Sequence, residues 1–163
     1  MWHGCEKATV DICFIHGLAG DQNRTWTTLG QSEPWPKKLL PPKLPSARIL
    51  TYGYDAYVMA RGGSGASSNR LSDHAQNPIN DLAGDRARSN AAATRRAIIF
   101  VTHSLGGLVC KKGLLSSRIS GNQQHHEIFE NTRGVIPLGT PHWGSWFAEW
   151  GTEACFPART FQV

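Results

Sequence analysis

No window of the 163 residues approaches the roughly 18 uninterrupted apolar positions that a membrane-spanning helix needs. The opening MWHGCEKATV carries no basic leader followed by an apolar segment, so neither a stable membrane span nor a secretory signal is expected. Cysteine is sparse, and Cys5, Cys13, Cys110 and Cys155 form no CxxC pair and no zinc-ligand spacing. Cys13 and Cys110 fall in apolar runs, where a reduced thiol packs as a small hydrophobe. A reducing compartment follows, hence an intracellular, cytoplasmic protein, with association with the mitochondrion or endoplasmic reticulum left open. The net charge of +5 is carried by scattered basic residues, among them the pairs Lys37 and Lys38, Arg95 and Arg96, and Lys111 and Lys112. No aromatic-interleaved basic stripe or DNA-binding motif joins them, so nucleic acid is not an expected partner. The Gly/Ser-rich stretch MARGGSGASSN, Met59 to Asn69, is not closed by GK[ST] and no strand feeds it, which leaves a flexible loop rather than a phosphate cradle. No internal repeat is visible.

What is present is an ordinary globular composition, 40% hydrophobic and 18% charged, in a chain about one domain long. Four short apolar runs stand out: Val10 to His16 (VDICFIH), Ala47 to Tyr52 (ARILTY), Ala97 to Val101 (AIIFV) and Gly134 to Leu138 (GVIPL). Three of them alternate little, as strands covered on both faces of a parallel sheet do. Between the second and third, Asn77 is placed to cap a helix with Pro78 in its first position and Ile79, Leu82, Ala83 and Arg86 at helical spacing. After Ser104 a second helix is expected, with Leu108, Val109 and Leu115 as its apolar face. Strands alternating with helices imply an α/β fold with right-handed crossovers.

Within IIFVTHSLGGLVCKK, Ser104 stands where a buried strand must turn into a helix. On such a turn the hydroxyl is lifted above the sheet edge, and small residues are wanted two positions to either side. Gly106 meets that need and Thr102 does not, so GxSxG is satisfied on one side only. The competing reading is a serine that merely caps the next helix. FIHGLAG, ending the first strand, adds a second element. Acyl transfer needs backbone N–H groups aimed at an oxyanion, one from the residue after the nucleophile and one from an early strand-to-helix loop. Leu105 and the Gly17 to Leu18 turn are the candidates.

Four blocks in order, VDICFIHGLAG with Thr25 and Trp26, ARILTYGYDA, IIFVTHSLGGLVCKK and LGTPHWGS, together resemble the lipase-like serine esterases of the α/β-hydrolase fold. The resemblance is close to the serine-active-site-containing proteins and to the hydrolase domain at the N-terminus of many fungal NLR-like multidomain proteins. The resemblance covers about residues 9 to 150. It implies a partial α/β-hydrolase, a mostly parallel sheet flanked by helices and lacking the last strands, as one truncated domain over residues 1–163. It further implies that Ser104 is the nucleophile and that His16, Gly17 and Leu18 belong to the oxyanion hole. Pro137 departs from the family's bulky apolar residue and argues for an irregular or edge strand, since proline deletes a ladder hydrogen bond.

A serine nucleophile needs a base and an acid, which in this fold follow it as acid and then histidine. From Leu105 to Val163 there is no aspartate; the acids are Glu127, Glu130, Glu149 and Glu153 and the histidines are His125, His126 and His142. The family's acid and base would lie beyond Val163. His142 emerges at the same sheet edge as Ser104 if the last strand runs parallel to the serine strand, and is either a substitute base or a brace for its turn. His125 and His126 lack further spaced ligands, so no metal is expected. Trp146 and Trp150 share a helical face, read either as core or as a surface for lipid or another domain. The leading expectation is a serine hydrolase acting on carboxylic esters or lipid-like substrates without metal or organic cofactor. The alternative is a catalytically incomplete fragment or interaction module, joined to other domains or chains through an exposed sheet edge.

Overall fold

The computed structural model describes residues 1–17, 20–54, 67–89 and 95–141. Four parallel strands, β1 (Val10–Ile15), β2 (Ala47–Tyr52), β3 (Ala97–His103) and β4 (Thr132–Leu138), form one sheet in the order β2-β1-β3-β4. Helices α1 (Trp35–Leu39), α2 (Ser67–Ser89), α3 (Gly106–Arg118) and α4 (Gln123–Asn131) flank it, with a 3-10 turn at Arg24–Trp26. The protein is therefore α/β, as its alternating pattern implies. Among the described residues no helix is long and apolar enough to cross a membrane.

Successive strand residues face opposite sides of a sheet, and here both sides are covered. Cys13 and Ile15 join Leu50, Ile98 and Phe100 beneath Ile79, Leu82 and Ala83 of α2, Cys110 of α3 and Ile128 of α4. Ile12 and Phe14 face the other way, into a cluster with Ala47, Ile49, Val101 and Trp26. The Trp26 ring meets Phe14 edge-on at 4.9 Å. This double burial is why the strand sequences do not alternate. Each such side chain taken out of water contributes about 1.5–3 kcal/mol.

Two expectations are corrected. Asn77 does not start a helix: α2 begins at Ser67, and Pro78 lies inside it. Proline at an interior position deletes one helical hydrogen bond at a cost of about 3 kcal/mol, but burial of Pro78, Ile79, Leu82 and Ala83 opposes that local signal. The end of the expected Gly/Ser loop, residues 67–69, is thus helical, while residues 59–66 lie outside those described. The polar stretch around His125 and His126 forms helix α4, capped by Asn122, whose side-chain oxygen accepts the Gln124 N–H at 2.9 Å, and anchored by buried Ile128. Second, Leu115 is half-exposed, so α3 buries Val109, Cys110, Gly113 and Ser117 instead. Pro137 does sit on the outer strand β4, opposite Thr102, and β4 leaves Val135, Ile136 and Leu138 exposed.

At the amino end of the sheet the fully buried Asp11 gathers three guanidinium groups. Its Oδ1 accepts from Arg48 Nε at 2.8 Å and Arg96 Nη1 at 2.9 Å, and its Oδ2 from Arg86 Nη1 at 2.6 Å. Arg48 also reaches Asp85 at 2.7 Å, Arg96 Nε donates to the Ala8 carbonyl and Arg86 Nη2 to the Arg96 carbonyl. The starts of β1, β2 and β3 and the last turn of α2 are thereby tied to one carboxylate. Removing one member of such a set leaves uncompensated buried charge, so Asp11→Asn is expected to destabilise by about 3–5 kcal/mol. Urea unfolding of the variant beside the parent protein measures it, and a loss below about 1 kcal/mol, the scale of an exposed pair, would contradict this account.

Candidate active site

The chain leaves β1 for β2 on one side and returns in β3 on the other, so the carboxyl ends of β1 and β3 flank the point where the strand order reverses. Crevices in open α/β sheets form at such a point. In register, Phe14 pairs with Val101 and Ile15 with Thr102, which brings the His16–Gly17 turn against Ser104. Two signals nearly ninety positions apart in the chain therefore meet at one sheet edge.

Ser104 has φ of 52°, the only non-glycine residue with positive φ among those described. That left-handed conformation costs an L-residue roughly 1–2 kcal/mol and persists only where the surroundings enforce it. They do so here. The Ser104 N–H donates to the Leu138 carbonyl at 2.9 Å, and the Gly107 N–H donates to the Ser104 carbonyl at 3.1 Å. Helix α3 begins at once, with Leu105 in the cap position and no side-chain cap hydrogen bond. Ser104 Oγ donates to nothing and accepts nothing among the described residues, so the reading of Ser104 as a helix cap loses its basis.

Two glycines make the approach possible. A Cβ on Gly17 would lie 2.7 Å from Ser104 Cβ and 2.8 Å from the His103 carbonyl, with Ser104 Oγ at 3.2 Å. A Cβ on Gly106 would lie 2.3 Å from the His16 carbonyl oxygen. The turn after β1 and the start of α3 are therefore in backbone contact, and only glycine fits between them.

His16 is buried and its ring is held at both nitrogens, Nε2 by the Tyr54 N–H at 3.2 Å and Nδ1 by the Gly17 carbonyl at 2.9 Å. Because a carbonyl can only accept and an N–H can only donate, the proton is on Nδ1 and the ring is neutral. His103 projects away from this contact toward Trp26, ring to ring at 6.3 Å, and burial lowers its pKa below the usual imidazole value. Past the turn, Asp21 accepts from the Asn23 and Arg24 N–H groups at 2.8 and 3.0 Å, and these bonds hold its carboxyl below the ordinary range.

Of the residues picked from sequence, Ser104, Leu105, His16 and Gly17 are brought together. Leu18 and His142 lie outside the described residues, as do Trp143, Trp146, Phe147 and Trp150. His125 and His126 sit on α4, where His126 Nε2 is 3.4 Å from Glu130 Oε1, and no set of three metal-ligating side chains occurs among the described residues. Tyr54, which sequence reasoning passed over, packs on His16 with ring centroids 4.5 Å apart and nearly parallel. No local pattern marks it; only its place inside the ARILTYGYDA block was a signal.

The chain is similar to Protein SERAC1. Over 166 residues it is 32% identical to the mouse (Mus musculus) protein and 29% to the human (Homo sapiens) one, and over 158 residues 28% to that of Danio rerio, in each case across 88% of this chain. The chain spans 23% of the length of these relatives. No family model matches it, and no solved structure does. The SERAC1 matches agree with the resemblance to serine-active-site-containing proteins that the motif blocks carry.

Strain and crowding at this turn have opposite mutational signs. Ser104→Gly is expected to stabilise by up to about 1 kcal/mol through release of the left-handed penalty. Gly17→Ala should destabilise by about 1–3 kcal/mol, because backbone must move to admit the methyl group. Denaturant midpoints decide both, and a stabilised Gly17→Ala protein would contradict the packing. Thr102 Oγ1 is buried without a partner among the described residues, so the isosteric Thr102→Val is expected to be neutral or to stabilise by about 1 kcal/mol in the same measurement.

Proposed function

We propose that the protein is a serine hydrolase of the esterase or lipase type, in which Ser104 attacks the carbonyl of a carboxylic ester. The observation that carries this reading is the left-handed Ser104 at the strand-to-helix turn, its hydroxyl uncommitted and Gly17 packed against it. In the proposed reaction Oγ forms a bond to the carbonyl carbon, and the oxyanion is stabilised by the Leu105 N–H and the amides of the Gly17 to Leu18 turn. Collapse expels the alcohol and leaves an acyl-enzyme on Ser104, which water then hydrolyses. Neither a metal nor an organic cofactor enters these steps.

A base must take the Ser104 proton. The segment that leads to His142 passes the site: the Leu138 carbonyl binds the Ser104 N–H, and Thr140 packs against Gly107. We assign His142 as that base. The companion reading is a hydrolase-like module without activity of its own, and one observation favours it: no described side chain is hydrogen-bonded to Ser104 Oγ.

Labelling with a fluorophosphonate probe separates the two. The parent protein is expected to be labelled and Ser104→Ala not, and equal signal in both would reject the nucleophile. Loss of general base catalysis should lower ester turnover in His142→Ala by about 10²-fold or more. Labelling without turnover would favour the inactive module.

A further inference from the structure

We propose that Tyr54 is a positioning residue for the candidate oxyanion loop, clamping His16 so that His16 in turn fixes the Gly17 peptide unit beside Ser104. This inference rests on the serine-hydrolase reading for its catalytic consequence, though the clamp itself does not.

The contacts run in series. The Tyr54 N–H donates to His16 Nε2 at 3.2 Å, the Tyr54 hydroxyl donates to the His16 carbonyl at 3.0 Å, and the two rings stack at 4.5 Å with an interplanar angle of 10°. Tyr52 stacks in turn on Tyr54 at 6.2 Å, which backs the clamp from β2. The bond to Nε2 selects the tautomer with the proton on Nδ1, and that proton goes to the Gly17 carbonyl at 2.9 Å, which the Gly20 N–H also holds at 3.1 Å. A peptide unit is planar, so holding the Gly17 carbonyl from two sides restrains the plane of that unit. The His16 carbonyl, meanwhile, is caught between the Tyr54 hydroxyl and Gly106 at the start of α3. Tyr54 thus locks the loop both through the ring of His16 and through its backbone. Burial raises the pKa of the Tyr54 hydroxyl, which favours its protonated, donating form.

The test uses Tyr54→Phe, which keeps the stack and loses the hydroxyl, and Tyr54→Leu, which loses both. Misdirecting one oxyanion donor costs up to about 10²–10³ in rate, so the labelling rate constant at Ser104 is expected to fall about tenfold in Tyr54→Phe and further in Tyr54→Leu. The half-saturating probe concentration and the labelled fraction should stay within about twofold of the parent, whereas general loss of structure would lower the fraction and leave the rate constant of the remainder unchanged. Tyr54→Leu labelled at the parental rate constant would overturn the proposal; if Tyr54→Leu does not fold, the same criterion applies to Tyr54→Phe. Nitrogen-15 NMR of the His16 ring gives a readout independent of activity. The parent is expected to show a protonated Nδ1 and a bare Nε2, and because the bond to Nε2 comes from the backbone N–H of residue 54, Tyr54→Phe is expected to keep that tautomer. A proton on Nε2 in the parent would overturn the clamp. If the parent is never labelled, the hydrolase reading fails and the ring signature alone decides for or against the clamp.

Discussion

The carboxylate of Asp11, buried at the foot of the central strand and held by Arg48, Arg86 and Arg96, constrains the rest of the molecule. A charge taken out of water at this depth is tolerable only when each of its lone pairs is met, and here partners come from β2, α2 and the approach to β3. A one-residue slip in any of these strands would turn its side chains to the opposite face. It would also leave a guanidinium buried without its carboxylate. Because the strands are parallel, register set at the amino end is delivered intact to the carboxyl end, where Ile15 pairs with Thr102 and the next residues of each strand form the candidate site.

The carboxyl end is built in the opposite manner. Its main feature is a residue in an unfavourable backbone region, Ser104, and nearby are buried polar atoms with no partner among the described residues: Thr102 Oγ1 at the end of β3, Thr140 Oγ1 beside Gly107, and the Trp26 indole nitrogen near His103. Each is unfavourable in a folded protein, where the large majority of buried polar atoms are satisfied. Together they fit the pattern in which strain collects at sites of chemistry and is supported by well-packed structure elsewhere. The supporting structure is the two-sided core and the arginine cluster. One end of the sheet is over-determined and the other is held under strain.

The HG and HSLGG blocks owe their spacing to this geometry. Gly17 and Gly106 are small because two backbones cross there, one leaving β1 and one entering α3. Similarity to Protein SERAC1 runs across 88% of this chain, so the resemblance is not confined to the serine motif. The relatives are several times longer, with 23% of their length matched.

Local pattern was sufficient for the four strands, for the strand-to-helix turn at Ser104 and for the edge position of Pro137, because double burial, turn chemistry and the missing proline N–H all act within a few residues. It failed where neighbours in space outweighed neighbours in sequence: α2 runs through Pro78 because its following residues are buried against the sheet, and α4 is anchored by a single buried isoleucine that no periodicity announces. Asp11 and Tyr54 were invisible for the same reason, since their partners lie 37 or more positions away. By itself, then, the sequence determined which segments are strands and where a serine is lifted out of one, through periodicity and turn propensity. Tertiary structure alone decided that the turn after β1 meets that serine, because strand order and register are properties of pairing between distant segments.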